Sequence, residues 1–176
     1  MITLERASSE TDLHQILALQ RKNLSGNRSS EEKKKEGFVT VSHTFEMLEA
    51  MNDICQHIIA KSDSMVIGYA LCMHPKFADG IEILRPMFAE IEAIRPKIKN
   101  YVAMGQICID KAYRGQGIFR RLYQDMLAAV QPQFEQIITE VDIKNTRSSQ
   151  AHYAVGFKDL ATYRSGGQDW KIIGLD

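Results

Sequence analysis

The pattern of apolar and polar positions predicts a strand, a polar turn and an amphipathic helix in the middle of the chain. Tyr101–Ile109 is a mostly apolar run with β-branched and aromatic residues, which is typical of a buried strand. The residues that follow it, Asp110–Gln116, are mostly polar. From Gly117 onward, apolar residues recur at the spacing of one helix face, at Phe119, Leu122, Tyr123, Met126, Leu127 and Val130. The other predicted elements are arranged around this strand–turn–helix unit.

The N-terminal part of the pattern predicts a short strand followed by helices. Ile2–Arg6 alternates weakly, and helical spacing of apolar residues begins at Leu13, behind serine and threonine residues suited to cap a helix. Ser25–Gly37 contains the charge-balanced run Glu31–Glu36, which predicts a solvated helix face. A short helix with apolar residues, Phe45–Met51, is expected after it.

Two strands and one further helix are predicted before the central unit. Ile54–Lys61 and Met65–Met73 flank a polar turn and are expected to form a β-hairpin. Gly68, inside the second of these strands, indicates a bulge or the close approach of another backbone. Residues Ile81–Ile98 have helical spacing, with one proline in the first turn and another at the end, Pro86 and Pro96.

After the central unit, the pattern predicts a strand, a helix and a β-hairpin. The strand Phe134–Ile143 follows the central helix, so this β-α-β crossover makes it a parallel neighbour of Tyr101–Ile109. The helix begins at Asn145 and is capped by Gly156. The final hairpin pairs Phe157–Tyr163 with Asp169–Leu175. The expected fold class is mixed α/β, with helices on both faces of a mixed sheet.

Composition and charge indicate one globular domain over residues 1–176. The chain has 176 residues, of which 44% are apolar and 25% charged. Its 22 basic and 22 acidic residues balance, which argues against nucleic acid as the main partner. No apolar run reaches transmembrane length and no signal pattern is seen at the N-terminus. The cysteines are interpreted as reduced core thiols of a cytoplasmic protein, at Cys55, Cys72 and Cys108.

The turn before the central helix has the features of an anion-binding site. Gly115 and Gly117 lack Cβ atoms, so an anion can approach backbone N–H groups that a helix start leaves unpaired. The helix dipole and the charge of Arg114 add a positive field. A Walker loop does not fit because Ile118 follows Gly117, and a dinucleotide fingerprint does not fit because Arg120 takes its third glycine position.

What remains of the loop pattern resembles the acyl-CoA pyrophosphate loop of the GNAT superfamily of N-acyltransferases. The resemblance covers Arg114, Gly115, Gln116, Gly117, Ile118 and Phe119. The preceding passage, Ile109–Tyr113, is also similar to that family, whereas Phe119 stands where the family usually has glycine or alanine. The order of predicted elements matches the GNAT fold, which implies a mostly antiparallel central sheet with one splayed parallel strand pair.

The resemblance implies a co-substrate and its binding residues. Acetyl-CoA is expected to place its pyrophosphate on the backbone amides of Arg114–Phe119. Its pantetheine arm is expected to lie along strand backbone at Ile107, Cys108 and Ile109. No metal is implied.

A second family signature is matched at Asn145, Ser148, His152 and the pair Gly156–Phe157. The resemblance implies that Asn145 contacts the pantetheine arm, and that Ser148 replaces a small alanine. His152 occupies the position of the family's tyrosine, the usual general acid, and Tyr153 would point about 100° away on the helix. His152, with Tyr153 as the alternative, is therefore expected to face the thioester sulfur. As an imidazolium it can protonate the departing thiolate, or it can only hydrogen-bond to the sulfur.

The resemblance further implies direct attack of a primary amine on acetyl-CoA. Many family members have a glutamate base on the strand before the loop, but Met104–Cys108 contains no carboxylate. Gln106 is expected to position a water or the amine. An acyl-enzyme on Cys108 is less favoured, because no histidine lies at a readable spacing. The base must come from elsewhere, and the candidates are Glu46, His43, His57 and His74.

A second function stays open beside N-acetyl transfer. The missing strand carboxylate and Phe119 are also compatible with a non-catalytic acyl-CoA-binding module, such as a sensor. For an enzyme, the acceptor is a small-molecule or peptide amine, expected between Ser25–Met51 and the C-terminal hairpin. No nucleic acid or membrane partner is predicted, and because the family often dimerises, a homodimer is the assembly to test for.

Overall fold

The computed structural model of the protein describes residues 1–24, 41–95, 98, 100–131 and 133–176. The predicted solvated helix face in Ser25–Gly37 and the helix-ending role of Pro96 lie outside these residues. The contacts divide the chain into two compact units. The first unit consists of Met1–Cys72 and Gly105–Met126, and the second of Met73–Met104 and Leu127–Asp176.

Five α-helices and seven β-strands are found in the described ranges. The helices are α1 Glu10–Asn23, α2 Phe45–Ile54, α3 Arg85–Ala93, α4 Ile118–Val130 and α5 Thr146–Val155. The strands are β1 Ile2–Arg6, β2 Ile58–Ser62, β3 Met65–Met73, β4 Tyr101–Ile109, β5 Gln136–Asp142, β6 Lys158–Ser165 and β7 Gln168–Leu175. Short 3₁₀ turns are present at Pro75–Phe77, Glu82–Leu84 and Lys111–Tyr113. None of these helices is long and apolar enough to cross a membrane.

In the first unit, β1, β2, β3 and the C-terminal half of β4 are hydrogen-bonded neighbours in that order. The β2–β3 register shifts by a bulge between Ala60 and Lys61, and Ala60 lies opposite Gly68. A Cβ atom on Gly68 would lie 3.3 Å from the carbonyl oxygen of Cys108. The close backbone approach predicted for this glycine is therefore confirmed.

Helix α1 has a capped N-terminus and carries a buried polar residue, Gln20, on its apolar face. Ser9 caps the helix, because its Oγ accepts from the Asp12 N–H at 3.2 Å and Asp12 Oδ2 accepts from the Ser9 N–H at 3.2 Å. Lys61 neutralises the buried carboxylate, with Nζ 2.7 Å from Asp12 Oδ1. Gln20 lies on the same buried side as the apolar residues and is fully buried.

In the second unit, the N-terminal half of β4, β5, β7 and β6 are neighbours in that order. The β4–β5 ladder is parallel and spans three residue pairs, from Tyr101–Gln136 to Ala103–Ile138. The β5–β7 and β6–β7 ladders are antiparallel. The predicted mixed, mostly antiparallel sheet with one parallel strand pair is confirmed.

Two predicted boundaries are wrong. Ile54 ends α2 instead of starting a strand, because helical spacing continues from Met51 and the Cys55 N–H still donates to the Met51 carbonyl. The helix predicted over Ile81–Ile98 is shorter, since α3 begins only at Arg85, behind a 3₁₀ turn. Pro86 lies in its first turn as predicted, where a missing N–H costs no helical hydrogen bond.

Candidate functional site

The predicted anion loop of the first unit is exposed and has the backbone geometry that requires glycine. Gly115 and Gly117 have φ values of 78° and 74°, in the left-handed region that side chains with a Cβ avoid. Helix α4 begins at Ile118, and its first backbone bond runs from the Arg121 N–H to the Gly117 carbonyl at 3.2 Å. The amides just before α4 are therefore at the positive end of a helix of 13 residues.

The space above both loop glycines is open. A Cβ atom at Gly115 or Gly117 would meet no other heavy atom within 4 Å. Exposed N–H groups at a helix N-terminus with free space before them form an arrangement that binds phosphate. The loop therefore has the geometry of an anion-binding helix N-terminus.

Arg114 holds the start of the loop. Its Nε donates to the Ile109 carbonyl at 3.1 Å, and its Nη2 lies 3.4 Å from Asn23 Oδ1. An ion pair lies close to these contacts in sequence, with Lys22 Nζ 2.7 Å from Asp110 Oδ2. The guanidinium thus ties the end of β4 to α1 and places a permanent positive charge beside the loop.

Phe119, the departure from the family pattern, packs on its own helix. Its ring contacts Tyr123 edge-to-face with a centroid distance of 5.2 Å, and Tyr123 is fully buried. This packing accounts for an aromatic side chain at position 119.

The first unit also contains a buried polar cluster centred on Gln106. Its Oε1 accepts from Gln20 Nε2 at 2.8 Å and from the Tyr69 hydroxyl at 2.6 Å. Its Nε2 donates to the Val41 carbonyl at 2.9 Å. Because the oxygen already accepts two hydrogen bonds, a contact of Gln106 with water or an amine would have to use its amide N–H group.

Gln20 links this cluster to His43. The Gln20 side chain accepts from the His43 backbone N–H at 2.8 Å, and its Nε2 lies 2.8 Å from His43 Nδ1. Sequence reasoning missed Gln20 and Tyr69. The signal for Gln20 was a polar residue on the apolar face of a helix, whereas nothing in the pattern of β3 distinguishes Tyr69.

The other candidates for the base differ in environment. His57 is fully buried, its Nδ1 accepts from the Cys72 N–H at 3.2 Å, and its Nε2 lies 3.1 Å from the Leu48 carbonyl. Both ring nitrogens are therefore used within the fold, and His57 is wrong as a base candidate.

The last two base candidates are His74 and Glu46. His74 caps a 3₁₀ turn through Nδ1 and lines a cavity of about 850 Å³. Glu46 is exposed.

The remaining strand residues predicted to bind the cofactor lie at the end of β4. Cys108 is buried, whereas Ile107 and Ile109 are half-buried, as alternation along a strand requires.

The Cys108 thiol contacts the Tyr69 hydroxyl, and burial raises the pKa of Tyr69 well above its usual value. Tyr69 therefore keeps its proton and acts as a donor to Gln106.

In the second unit, the second signature opens α5. Asn145 caps this helix, with Oδ1 accepting from the Ser148 N–H at 3.0 Å. His152 Nδ1 lies 2.8 Å from the Ser148 carbonyl oxygen. Because a carbonyl only accepts, Nδ1 carries the proton and the lone pair of the neutral ring is on Nε2. The structure thus brings Asn145, Ser148 and His152 together on one side of the helix.

The protonation state of His152 differs from the expectation. The side chain is 3% exposed, and its burial lowers its pKa to about 4. The ring is neutral at neutral pH, so the expected imidazolium is not the resting form of this residue. The reference pKa misled because the sequence does not show how deeply the second turn of α5 is packed.

Tyr153 is turned to the surface. It is 38% exposed, its hydroxyl donates to Asp159 Oδ1 at 2.6 Å, and Lys171 Nζ lies 2.8 Å from the hydroxyl oxygen of Tyr153. This arrangement engages the hydroxyl in a surface ion-pair cluster. The predicted difference in direction between His152 and Tyr153 is present, with one buried and the other exposed.

A further titratable carboxyl lies in the second unit. Glu140 on β5 accepts a hydrogen bond from the Tyr163 hydroxyl. Burial raises the pKa of Glu140 to about 7, although the bond from Tyr163 lowers it. Sequence analysis did not single out this pair, because Glu140 and Tyr163 are far apart along the chain.

These features agree with what the comparisons with known proteins show. The chain belongs to the Acetyltransferase (GNAT) family, whose model matches residues 14–157. No curated protein matches the sequence.

Solved structures with the same fold include two N-acetyltransferases and a complex that contains CoA. The ribosomal-protein-S18-alanine N-acetyltransferase from Escherichia coli matches with a TM-score of 0.65 and 12% identity, over 99% of this chain and 93% of that one. The NatC complex bound to Gag peptide and CoA matches with a TM-score of 0.66 and 15% identity, over 99% and 97%. Spermidine N-acetyltransferase from Vibrio cholerae, in complex with CoA and spermine, matches with a TM-score of 0.58 and 16% identity, over 99% and 94%.

Proposed function

We propose that this protein is an N-acetyltransferase that moves the acetyl group of acetyl-CoA to a primary amine by direct attack in a ternary complex. The observation that carries the proposal is the loop Arg114–Phe119, whose exposed glycines, Gly115 and Gly117, have positive φ values and free space above them just before a helix begins. Family membership supports the acyl-transfer chemistry. Related folds solved with CoA support the co-substrate.

In this proposal, the loop amides hold the pyrophosphate, and the backbone of Ile107, Cys108 and Ile109 contacts the pantetheine arm. The short β4–β5 ladder supports the second contact, because it ends at Ala103, well before β4 ends at Ile109. A strand fully paired along its length would have no backbone groups to offer a ligand.

The acceptor amine and the departing thiolate differ in how much catalytic help they need. An alkylamine with a pKa near 10.4 is neutral in about one molecule per 10³ at neutral pH, so binding must select or create the neutral form. A thiol has a pKa near 8.5, so its thiolate leaves without much help from an acid. A neutral His152 is compatible with this second step, and Gln106 is assigned a position beside the amine.

Replacing His152 with phenylalanine should lower kcat by less than the roughly 10²-fold that loss of a general acid costs. The reason is that the ring is already neutral, with its pKa near 4. The turnover number and CoA affinity are measured for His152→Phe and Tyr153→Phe across about pH 6 to 9. A fall of kcat with rising pH in the wild type that disappears in His152→Phe would contradict the neutral assignment, and a loss confined to Tyr153→Phe would reverse the choice of residue.

Substitutions at Asn145 should separate its helix-capping role from cofactor binding. Asn145→Asp keeps an oxygen that caps α5, so thermal stability should be nearly unchanged, whereas Asn145→Ala should cost about 1 kcal/mol of unfolding free energy. Both lose the side-chain N–H₂ group, and we expect both to bind CoA more weakly. Calorimetry that finds weaker CoA binding only in Asn145→Ala would assign the effect to the helix cap alone.

The experiment that tests the proposed function is a screen of amines with acetyl-CoA, read as release of free thiol. We expect thiol release that depends on an amine. Tight CoA binding with no turnover on any amine would instead support the non-catalytic acyl-CoA-binding module.

A further inference from the structure

The first unit contains two cysteines whose thiols contact each other. Cys55 directly follows α2, Cys72 lies near the end of β3, and their thiols form a hydrogen bond in which Cys72 donates. The strand register agrees with this contact. Ile58 lies opposite Ala70, and the same register continued toward α2 brings Gln56, the neighbour of Cys55, opposite Cys72. Two thiols in contact are the arrangement from which a disulfide can form.

Hydrogen bonds on both sides hold this contact in place. The Cys55 N–H donates to the Met51 carbonyl at 3.0 Å, and the Cys72 N–H donates to His57 Nδ1 at 3.2 Å. Nε2 of His57 lies 3.1 Å from the Leu48 carbonyl oxygen, so one histidine ring links α2 to β3. The backbone beside both thiols is therefore held, and the thiols meet without a rearrangement of the chain.

The two thiols differ in accessibility and in acidity. Cys55 is half-buried, so a small reagent can reach it, whereas Cys72 is fully buried. The hydrogen bond from the Cys72 thiol lowers the pKa of Cys55 against the effect of burial, and the charge of Arg6 lowers it further. The same bond, together with burial, raises the pKa of Cys72 well above its usual value. Cys55 is therefore the nucleophile of the pair, and Cys72 can react only with the sulfur beside it.

We propose that Cys55 and Cys72 are a modification site that forms a disulfide by exchange with a small-molecule disulfide. First, the Cys55 thiolate attacks one sulfur of the reagent, the S–S bond of the reagent breaks, and a small thiolate leaves. Then the Cys72 sulfur attacks the Cys55 sulfur, and a second small thiolate leaves with the proton that Cys72 gives up. The protein thiols lose two electrons, and the reagent is reduced to two small thiols. This reaction is independent of acetyl transfer.

Two other roles fit these residues less well. A metal site needs further ligands, and no group of three or more suitable side chains is found in the part of the chain that the structure describes. Both ring nitrogens of the neighbouring His57 are already hydrogen-bonded. A lasting mixed disulfide on Cys55 is disfavoured, because the Cys72 sulfur lies against it and can displace the small thiol.

The first test uses the aromatic disulfide dithio-bis-nitrobenzoate, because the thionitrobenzoate that it releases is coloured. The folded wild-type protein should release two thionitrobenzoate groups per chain, keep no label, and become lighter by two hydrogen atoms in a mass spectrum. Peptide mapping should then find Cys55 linked to Cys72, with Cys108 unmodified. Treatment with dithiothreitol should restore the original mass.

Single variants separate the roles of the two thiols. Cys72→Ala leaves no sulfur to complete the disulfide, so it should release one thionitrobenzoate and keep another as a label on Cys55. Cys55→Ala removes the thiol that the reagent can reach, so it should release none while folded. Cys108→Ala changes another buried cysteine and is the matched control, which should react as the wild type does.

Urea unfolding provides a second readout. The disulfide would constrain the unfolded chain between α2 and β3, so the oxidised wild type should unfold at a higher urea concentration than the reduced wild type. Cys72→Ala should not show this increase after the same treatment.

The wild type alone can overturn the proposal. A folded wild-type protein that releases nothing, that keeps a label on Cys55, or that forms a link through Cys108 would contradict it. If a variant does not fold, the amount of thiol released and the peptide map of the wild type still decide.

Discussion

Replacing Gly117 with valine should weaken CoA binding by about 10²-fold or more, because two effects act at one position. Gly117 has a φ of 74°, where a β-branched residue is strained, so the amides of the loop are displaced. The valine side chain would also enter the open space above the loop, where we expect a phosphate oxygen. Calorimetric titration of CoA into the wild type and Gly117→Val measures the effect.

Gly167 provides the control for backbone strain. It has a φ of 76°, it lies in the β6–β7 turn, and a Cβ atom there would meet no other heavy atom within 4 Å. Gly167→Val should therefore lose a similar amount of stability while keeping its CoA affinity. Unchanged CoA affinity in Gly117→Val, or equal losses in both variants, would show that the pyrophosphate does not bind at this loop.

Acidification should destabilise the folded protein between about pH 6.5 and 4, because three histidines are buried in their neutral form. Burial lowers the pKa values of three histidines to about 4, those of His43, His57 and His152. In the unfolded chain a histidine titrates near pH 6.5, so the unfolded state binds up to three more protons between about pH 4 and 6.5. The histidines therefore destabilise the folded state progressively as the pH falls through this window.

Glu140 acts in the opposite direction. Its pKa is raised to about 7 in the folded protein, so between about pH 4.5 and 7 the folded state binds one more proton than the unfolded state. The net uptake on unfolding is then about two protons between about pH 4.5 and 6.5, which lowers the free energy of unfolding by about 3 kcal/mol per pH unit. Over this window the loss is comparable to the stability of an ordinary domain.

Urea unfolding at a series of pH values across this window tests the expectation with two variants of opposite effect. Glu140→Gln removes the opposing group, so the loss of stability with falling pH should become steeper by about one proton. His152→Gln removes one of the histidines, so the loss should become shallower by about the same amount. A free energy of unfolding that stays constant or rises on acidification would contradict the buried, neutral histidines.

Local periodicity predicted the parts of the fold that local physics determines. The bounds of β1, β3 and β4 are as predicted, because alternation or an apolar run ends at a polar turn in each case. The cap of α5 at Asn145 and its end at Gly156 were predicted from residue types that suit those backbone conformations. The anion loop was predicted for the same reason, since glycine is needed at positive φ.

Properties that depend on tertiary contacts could not be predicted in this way. The cluster of Gln20, His43, Tyr69 and Gln106 joins four segments that no sequence spacing relates. The neutral state of His152 follows from burial, which the helical pattern of α5 does not reveal. Sites built from residues close together in the sequence could therefore be predicted. Sites built from distant residues, and pKa values set by burial, could not.

Transfer of a labelled acetyl group shows whether the protein is an N-acetyltransferase. The protein is incubated with acetyl-CoA labelled in the acetyl group and with the best amine from the screen, and the products are identified by mass spectrometry. We expect the label on the nitrogen of the amine, with one free CoA thiol released for each label transferred. Label that remains on CoA with every amine, although CoA binds, would contradict this expectation.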